Sequence, residues 1–199
     1  LLGLLLLVTG VFVIYQRLTD PERVRRLAIA ALEDASGAKA EIAHAEFGFF
    51  TLRLHDVRLL VPDLPLQAQP LLTARLVLVD HHFWSLLRGT FTPTVISLQE
   101  PTIHICENLD AGLFNFQYLQ NRSTSSAQSN AIPELHLREG RIHFTRLERN
   151  VYQLQGSLPV NGSLTAQPDD PSRYRFLLVQ RDRPMAEAPA VMGTLDTRT

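Results

Sequence analysis

The first fifteen residues constrain this chain most, because they hold no charged side chain. Apart from two glycines, one threonine and a final tyrosine, they are all Leu, Val, Ile or Phe. An apolar helix needs about 20 residues to cross a bilayer, or about 17 if it is short. We expect residues 1–18 to form a transmembrane anchor that is truncated at its start, with the Arg17 side chain extended toward the headgroups.

Two other interpretations of this segment stay open. A continuous apolar run also fits a buried core helix, or the core of a cleavable signal peptide, which is about 7–15 residues long. The sequence that closes the segment, VFVIYQRL, is bulky and lacks the small residues of a cleavage site. An uncleaved anchor is therefore the preferred interpretation, and residues 19–199 then form a domain beside a membrane.

Composition and motifs narrow the function classes. The chain has 199 residues and a formal net charge of -1, whereas nucleic-acid-binding proteins usually carry a basic face. Its one cysteine excludes an internal disulfide framework. The sequence contains no Gly-rich phosphate loop, no H-E-x-x-H motif and no G-x-S-x-G elbow. We therefore expect no enzyme activity, no catalytic residues and no cofactor.

Local patterns predict one helix followed by many strands. Asp20, Pro21 and Glu22 are typical of a helix start and Gly37 of a helix end, which predicts a helix over residues 21–36. From residue 40 onward apolar and polar residues alternate, which predicts strands joined by short connections and paired antiparallel. The expected fold is α+β and mainly β, with one capping amphipathic helix and a strongly curved antiparallel sheet.

Three local signals predict details of the strand region. The apolar phase shifts after Leu54, which indicates a bulge near Asp56. The pairs Glu139-Gly140 and Asn161-Gly162 each predict the turn of a hairpin. Residues 121–130 are polar throughout, so we expect a flexible loop there.

Alternation along the strands selects one apolar face of the sheet. Its predicted members are Leu52, Leu54, Leu72, Leu76, Leu78, Ile96, Leu98, Ile103, Ile105, Leu135, Leu137, Ile142 and Phe144. With a single helix to cover it, this face must be buried by sheet curvature, by another molecule or by an apolar ligand. An ordinary closed core is the alternative role for the same residues.

Two short clusters resemble metal sites without satisfying their geometry. Asp80, His81 and His82 are consecutive, and neighbouring side chains on a strand point to opposite faces. His104 and Cys106 share a face, but no second pair lies nearby in the sequence, whereas zinc needs three or four converging ligands. We therefore predict no metal site.

Several stretches together resemble the N-terminal part of AsmA-like proteins, the group that also includes TamB- and YhdP-type proteins. In chain order they are EFGFFTLRLHDVRLLVP, PLLTARLVLV, SLLRGTFTPTVISLQEPTIHI, DAGLFNF and LHLREGRIHFTRLE. The resemblance covers about residues 1–148 and is one of order and spacing. Its strongest part is residues 96–115, where two strands flank Glu-Pro and are followed by Gly112 and Asn115.

The resemblance implies a function that the residues alone do not. Such proteins are similar to chorein-type bridge proteins, are anchored in the inner membrane of Gram-negative-type bacteria, and project a curved β-groove into the periplasm. Residues 1–18 would be the anchor and residues 19–199 the membrane-proximal AsmA-like β-groove domain. The apolar face would then bind phospholipid and guide it between membranes during assembly of the outer membrane.

The same resemblance defines the expected partners, which are phospholipid, the inner membrane and other envelope proteins, without nucleic acid. Arg23, Arg25 and Arg26 follow the anchor closely, and we expect them to contact anionic headgroups; a solvated helix face is the alternative. A second function also fits, namely a structural or interaction module that docks envelope proteins through its sheet edge or apolar face. A hydrolase would need converging Ser, His and Asp side chains, which this order of residues does not supply.

Overall fold

A computed structural model describes residues 20–48, 50–62, 70–81, 93–119, 132–149, 151–167, 169–182 and 190–196. The predicted anchor over residues 1–18 and the predicted flexible loop over residues 121–130 lie outside these ranges. Within the ranges, no helix has the length and apolar character needed to cross a membrane. The described chain is mainly β, with one α-helix and a large curved sheet, as the sequence predicts.

The helix α1 spans Pro21–Ser36, the range predicted from its end signals. The Asp20 side chain accepts a hydrogen bond from the Glu22 backbone N–H, and the proline at the first position has no N–H that would need a partner. At the other end, Gly37 has a φ of 68° and donates its N–H to the Glu33 carbonyl at 2.9 Å. Glycine adopts this left-handed conformation without strain, so it ends the helix and leads into the first strand.

In the described ranges, eleven strands form a single sheet. They are β1 (Lys39–Glu41), β2 (His44–Phe47), β3 (Thr51–Leu60), β4 (Leu72–His81), β5 (Pro93–Gln99), β6 (Thr102–Asn108), β7 (Leu113–Phe114), β8 (Glu134–Glu148), β9 (Val151–Gln167), β10 (Asp170–Gln180) and β11 (Ala190–Asp196). A short 3-10 helix over Asn115–Leu119 follows β7. The order across the sheet is β1-β3-β4-β5-β8-β9-β10-β11; β2 lies beside β3, β6 beside β4 and β8, and β7 beside β6.

The expectation of a purely antiparallel sheet is wrong at β8. This strand runs parallel to β5, with Ile96 beside Leu135, and parallel to β6. The prediction assumed short connections, which join antiparallel neighbours, whereas parallel neighbours need a long connection. The long stretch between Gln99 and Glu134 returns the chain to the starting end of β5, so β8 leaves in the same direction as β5.

Several strands are irregular at one level in the middle of the sheet, here named the crease, which passes through Asp56, Arg75, Glu100 and Glu139. Three of these residues have positive φ angles, 52° at Asp56, 50° at Glu100 and 56° at Glu139. The breaks between β1 and β2 and between β5 and β6 lie at the same level. At this level the Arg75 guanidinium Nη1 donates to Glu100 Oε1 at 2.7 Å, which joins β4 to the turn that ends β5.

The apolar residues of each strand change phase at the crease. On β3 the buried positions pass from Leu54 to Val57, and on β4 they pass from Val77 to Ala74 at the same level. The pairing of β3 with β4 keeps one register throughout, because both strands change phase together. The predicted phase shift near Asp56 is therefore confirmed, and Asp56 has a positive φ angle, but the predicted bulge is wrong because neither strand has an extra residue.

The two predicted hairpin turns, at Glu139-Gly140 and Asn161-Gly162, are wrong because both pairs lie inside the continuous strands β8 and β9. They meet at the crease, where the Glu139 N–H donates to Asn161 Oδ1 at 2.9 Å. The register between the two strands shifts just beside this bond, between Leu137 and Gly140. The side-chain bond therefore gives the Glu139 N–H a partner where the ladder is interrupted, and neither pair of turn residues reverses its strand.

Candidate functional site

The inner face of the sheet is defined as the face that α1 covers. Val24 of α1 belongs to a buried cluster with Leu54 of β3 and Val77 of β4. Past the crease, Leu32 of α1 packs against a second cluster that contains Leu59. The end of the sheet nearest α1 is therefore a closed hydrophobic core of the ordinary kind.

Strand register continues the inner face across the whole sheet. On one side of the crease, two rows of side chains run perpendicular to the strands from β3 to β11, and every member is apolar or glycine. The first row is Leu54, Val77, Leu98, Leu137, Gly162, Leu178 and Val191, and the second is Leu52, Val79, Ile96, Leu135, Leu164, Phe176 and Gly193.

These rows become more exposed with distance from α1. Leu54, beneath the helix, exposes 2% of its surface, whereas Val191 on β11 exposes 61%. The members on β5, β8, β9 and β10 are half-buried. In the described part of the chain, the main contacts of β9, β10 and β11 are with neighbouring strands only. The rows therefore form a continuous apolar strip on the curved sheet, hereafter the groove, which α1 covers at one end and which is open beyond it.

Two shorter rows continue the inner face on the other side of the crease. They are Leu59, Leu72, Ile103, Ile142 and Leu158, then Ile105, Phe144 and Gly156. The Phe144 side chain is 41% exposed. Next to it on the same face, Arg146 Nε lies 3.5 Å from Glu107 Oε2. A polar rim thus follows the apolar rows on this side.

The predicted lining residues divide between the two faces of the sheet. Those on the inner face are Leu52, Leu54, Leu72, Ile96, Leu98, Ile103, Ile105, Leu135, Leu137, Ile142 and Phe144. Leu76 and Leu78 lie on the outer face, and Val77 and Val79 take the inner positions on β4. Strand β4 carries apolar residues in both phases, so alternation alone does not decide which set points inward.

Two glycines mark groove positions that the sequence pattern did not select. A Cβ at Gly162 would lie 2.6 Å from Leu178 Cδ2 and 3.3 Å from Leu137 Cδ1. A Cβ at Gly193 would lie 2.5 Å from two ring atoms of Phe176. Larger neighbours therefore occupy the space above each glycine. A glycine inside a strand is the sequence signal for such close approach.

The three arginines predicted to contact headgroups have different surroundings. Arg23 and Arg26 lie exposed on α1. Arg25 turns toward its own domain, with Nη2 2.9 Å from Glu22 Oε2 and Nη1 donating to the Ile42 carbonyl at 3.3 Å. Arg25 thus ties α1 to the link between β1 and β2, and the outward-facing charge of the trio belongs to Arg23 and Arg26.

Asn115 closes the free edge of β6. Its Nδ2 donates to the His104 carbonyl at 2.6 Å, and its Oδ1 accepts from the Cys106 N–H at 3.2 Å. Strand β4 pairs with β6 only as far as Ile103, so the buried amide takes the place of a neighbouring strand beyond that point. Gly112, with a φ of 65°, lies in the turn that brings Asn115 back to this edge.

The histidines of β6 and β8 form a half-buried pair. The rings of His104 and His143 meet edge to face, with centroids 5.0 Å apart. Burial lowers the pKa of His104, and the charge of His143 lowers it further. Nearby, burial raises the pKa of Tyr152, with a smaller contribution from Cys106.

The Asp80 to His82 cluster has mixed surroundings. Asp80 accepts a hydrogen bond from the Thr51 hydroxyl at 2.8 Å, and buried His81 stacks on Phe47 with ring centroids 5.3 Å apart. His82 lies outside the described residues. Among the residues that the structure describes, no three His, Cys, Asp or Glu side chains converge as metal ligands would.

No protein-family model fits the chain, and no curated protein matches it in sequence.

Proposed function

We propose that this protein binds the acyl chains of phospholipids in the apolar groove and guides them along it. The continuity of the rows supports this proposal, because in both rows every position from β5 to β11 is apolar or glycine. Contiguous exposed apolar surface of this kind is rare on soluble domains and marks binding sites. An acyl chain matches such a surface because it is long, narrow and free of hydrogen-bonding groups.

The dimensions of the groove suit this ligand. Six strand spacings separate β3 from β11, and at about 4.8 Å each they give the rows a length of about 29 Å. Helix α1 covers the first strands, so the open part from β5 to β11 is about 19 Å long. The acyl chains of one leaflet span about 15 Å, half of a hydrocarbon core of about 30 Å. One extended chain therefore fits in the open part.

The sequence resemblance supports a proposal for where in the cell the groove lies. We propose that the chain is the membrane-proximal part of an AsmA-like protein, anchored in a bacterial inner membrane by residues 1–18, with residues 19–199 in the periplasm. The position of α1 supports this arrangement, because the helix follows the apolar segment in the chain and covers one end of the groove. The role is non-enzymatic and belongs to envelope biogenesis.

The edge of the sheet supports a second candidate function. Among the described strands, β11 pairs only with β10, and Val191, Met192 and Leu195 on it expose 61%, 71% and 47% of their surfaces. An unpaired edge with apolar side chains can accept a strand from another envelope protein. Lipid binding is preferred because the half-open apolar surface extends over β5, β8, β9 and β10 and is not confined to this edge.

Native mass spectrometry of the full chain tests the lipid proposal. The protein is purified from a bacterial host in mild detergent and washed free of loose lipid. We expect a folded protein whose mass is raised by one or more phospholipids, which collisional activation then releases. A folded protein that carries no lipid, and that co-purifies with an envelope protein instead, would favour the docking function.

A further inference from the structure

Helix α1 points its first turn toward one end of the strands. In its last turn, Glu33 Oε1 accepts a hydrogen bond from the Ala40 N–H of β1 at 3.0 Å. In its second turn, Arg25 reaches the Ile42 carbonyl, which follows β1. The axis of α1, followed from its C-terminus to its N-terminus, therefore runs from β1 toward β2. The start of α1 points to the end of the sheet at which β2 turns into β3.

That end of the sheet presents an exposed aromatic side chain. Phe50, in the turn between β2 and β3, exposes 68% of its surface. Its carbonyl accepts a hydrogen bond from the His81 N–H at 3.0 Å, which places the end of β4 beside it. Aromatic side chains exposed in this way are unfavourable in water and favourable in the interface of a bilayer.

We propose that this end of the sheet, formed by Phe50 and the first turn of α1, lies against the membrane that anchors the chain. The inference rests on the proposed anchor over residues 1–18. Helix α1 starts three residues after that segment, so its first turn lies at most about 10 Å from the end of the anchor. Phe50 enters the interface, and the exposed Arg23 and Arg26 face anionic headgroups.

The opposite end of the strands, near Leu109, is the end that we expect to lie away from the membrane. From Pro93 to Asn108 the chain advances fifteen residues through β5 and β6, which at about 3.3 Å per residue spans at most roughly 50 Å. Leu109, just past β6, is also apolar and 41% exposed. Apolar exposure alone does not distinguish the two ends, whereas the direction of α1 does.

The test compares the membrane contact of a tryptophan placed at each end. The chain has one tryptophan, which is removed as Trp84→Phe. Phe50→Trp and Leu109→Trp are then made separately in that background. The full chain is reconstituted into vesicles of phosphatidylcholine and phosphatidylglycerol with brominated acyl chains, which quench tryptophan on contact. We expect the fluorescence of Phe50→Trp to be quenched at least threefold more than that of Leu109→Trp.

Equal quenching at both positions, or stronger quenching at Leu109→Trp, would overturn the proposal. The comparison is repeated with Leu137→Asp added, which places a charge in the groove. Quenching at Phe50→Trp that persists when native mass spectrometry shows no groove-bound lipid comes from the bilayer, so the orientation stands even if the groove carries no lipid. Quenching that disappears comes from groove-bound lipid and overturns the orientation. A chain that does not float with the vesicles overturns the anchor and the orientation together.

Discussion

Replacement of Leu137 by Asp tests the groove at its midpoint. Leu137 lies on β8 in the first row, between Leu98 and Gly162. Its side chain is half-buried in the open part of the groove, so a carboxylate there reaches water and the sheet stays folded. The charge interrupts the apolar path halfway between α1 and β11.

One strand spacing gives the size of the effect. The part of an acyl chain that crosses about 4.8 Å holds about four methylenes, and their full burial contributes about 3 kcal/mol at about 0.8 kcal/mol each. The groove is open on one side, so roughly half of this, about 1.5 kcal/mol, is lost in the variant. We therefore expect the affinity for a phospholipid to fall about tenfold.

The matched control is Leu78→Asp, which makes the same chemical change on the outer face between Arg53 and Ser97. Both variants and the unchanged protein are titrated with a fluorescent phospholipid, and thermal unfolding shows whether each is folded. We expect about tenfold weaker binding for Leu137→Asp and unchanged binding for Leu78→Asp. The groove would be refuted as the lipid path by folded variants that both lose affinity equally, or that both keep it.

Three more expectations concern stability, each measured by urea unfolding. Asn115→Ala should lower the free energy of unfolding by about 2 kcal/mol, because the His104 carbonyl and the Cys106 N–H lose their partner; an unchanged value would show that the amide does not support this edge. Glu139→Gly should raise it by about 1 kcal/mol, because glycine adopts a φ of 56° without strain; a loss of stability would contradict this. The pKa of His104 is lowered in the fold, so the unfolded chain binds a proton first and stability falls as the pH drops below about 6.5. His104→Gln should reduce the loss between pH 7.5 and pH 5.5, and an equal loss in both proteins would exclude His104 as its source.

Sequence reasoning locates the elements well because their signals are local. Asp20 and Gly37 determine the limits of α1 through the hydrogen bonds and the backbone angle that they provide themselves. Alternation places the strands for the same reason, since each residue reports its own side of the sheet. The pairing of β8 with β5 depends on residues far apart in the chain, and no local pattern indicates that these strands are parallel.

The crease shows why turn signals mislead within this sheet. Asn161-Gly162 reverses a chain when nothing holds its two flanks apart. In this protein β8 and β10 pair with β9 on both sides of the glycine, so the same residues stay within one continuous strand. Alternation likewise predicts the groove residues where the alternating residue is polar, as between Ile96 and Leu98. It fails on β4, because Leu78 and Val79 point to opposite faces and both are apolar.

The parallel pairing of β8 has a consequence for how the groove comes into existence. Strands β1 to β6 pair among themselves, as do β8 to β11, and the described sheet joins the two halves only where β8 meets β5 and β6. Pairings between sequence neighbours close short loops and form quickly, whereas this junction must close the loop between Gln99 and Glu134. The rows are therefore continuous only after the two halves join. If the protein binds lipid as proposed, an acyl chain that touches both halves stabilises the joined state, and lipid is then a folding ligand as well as a cargo.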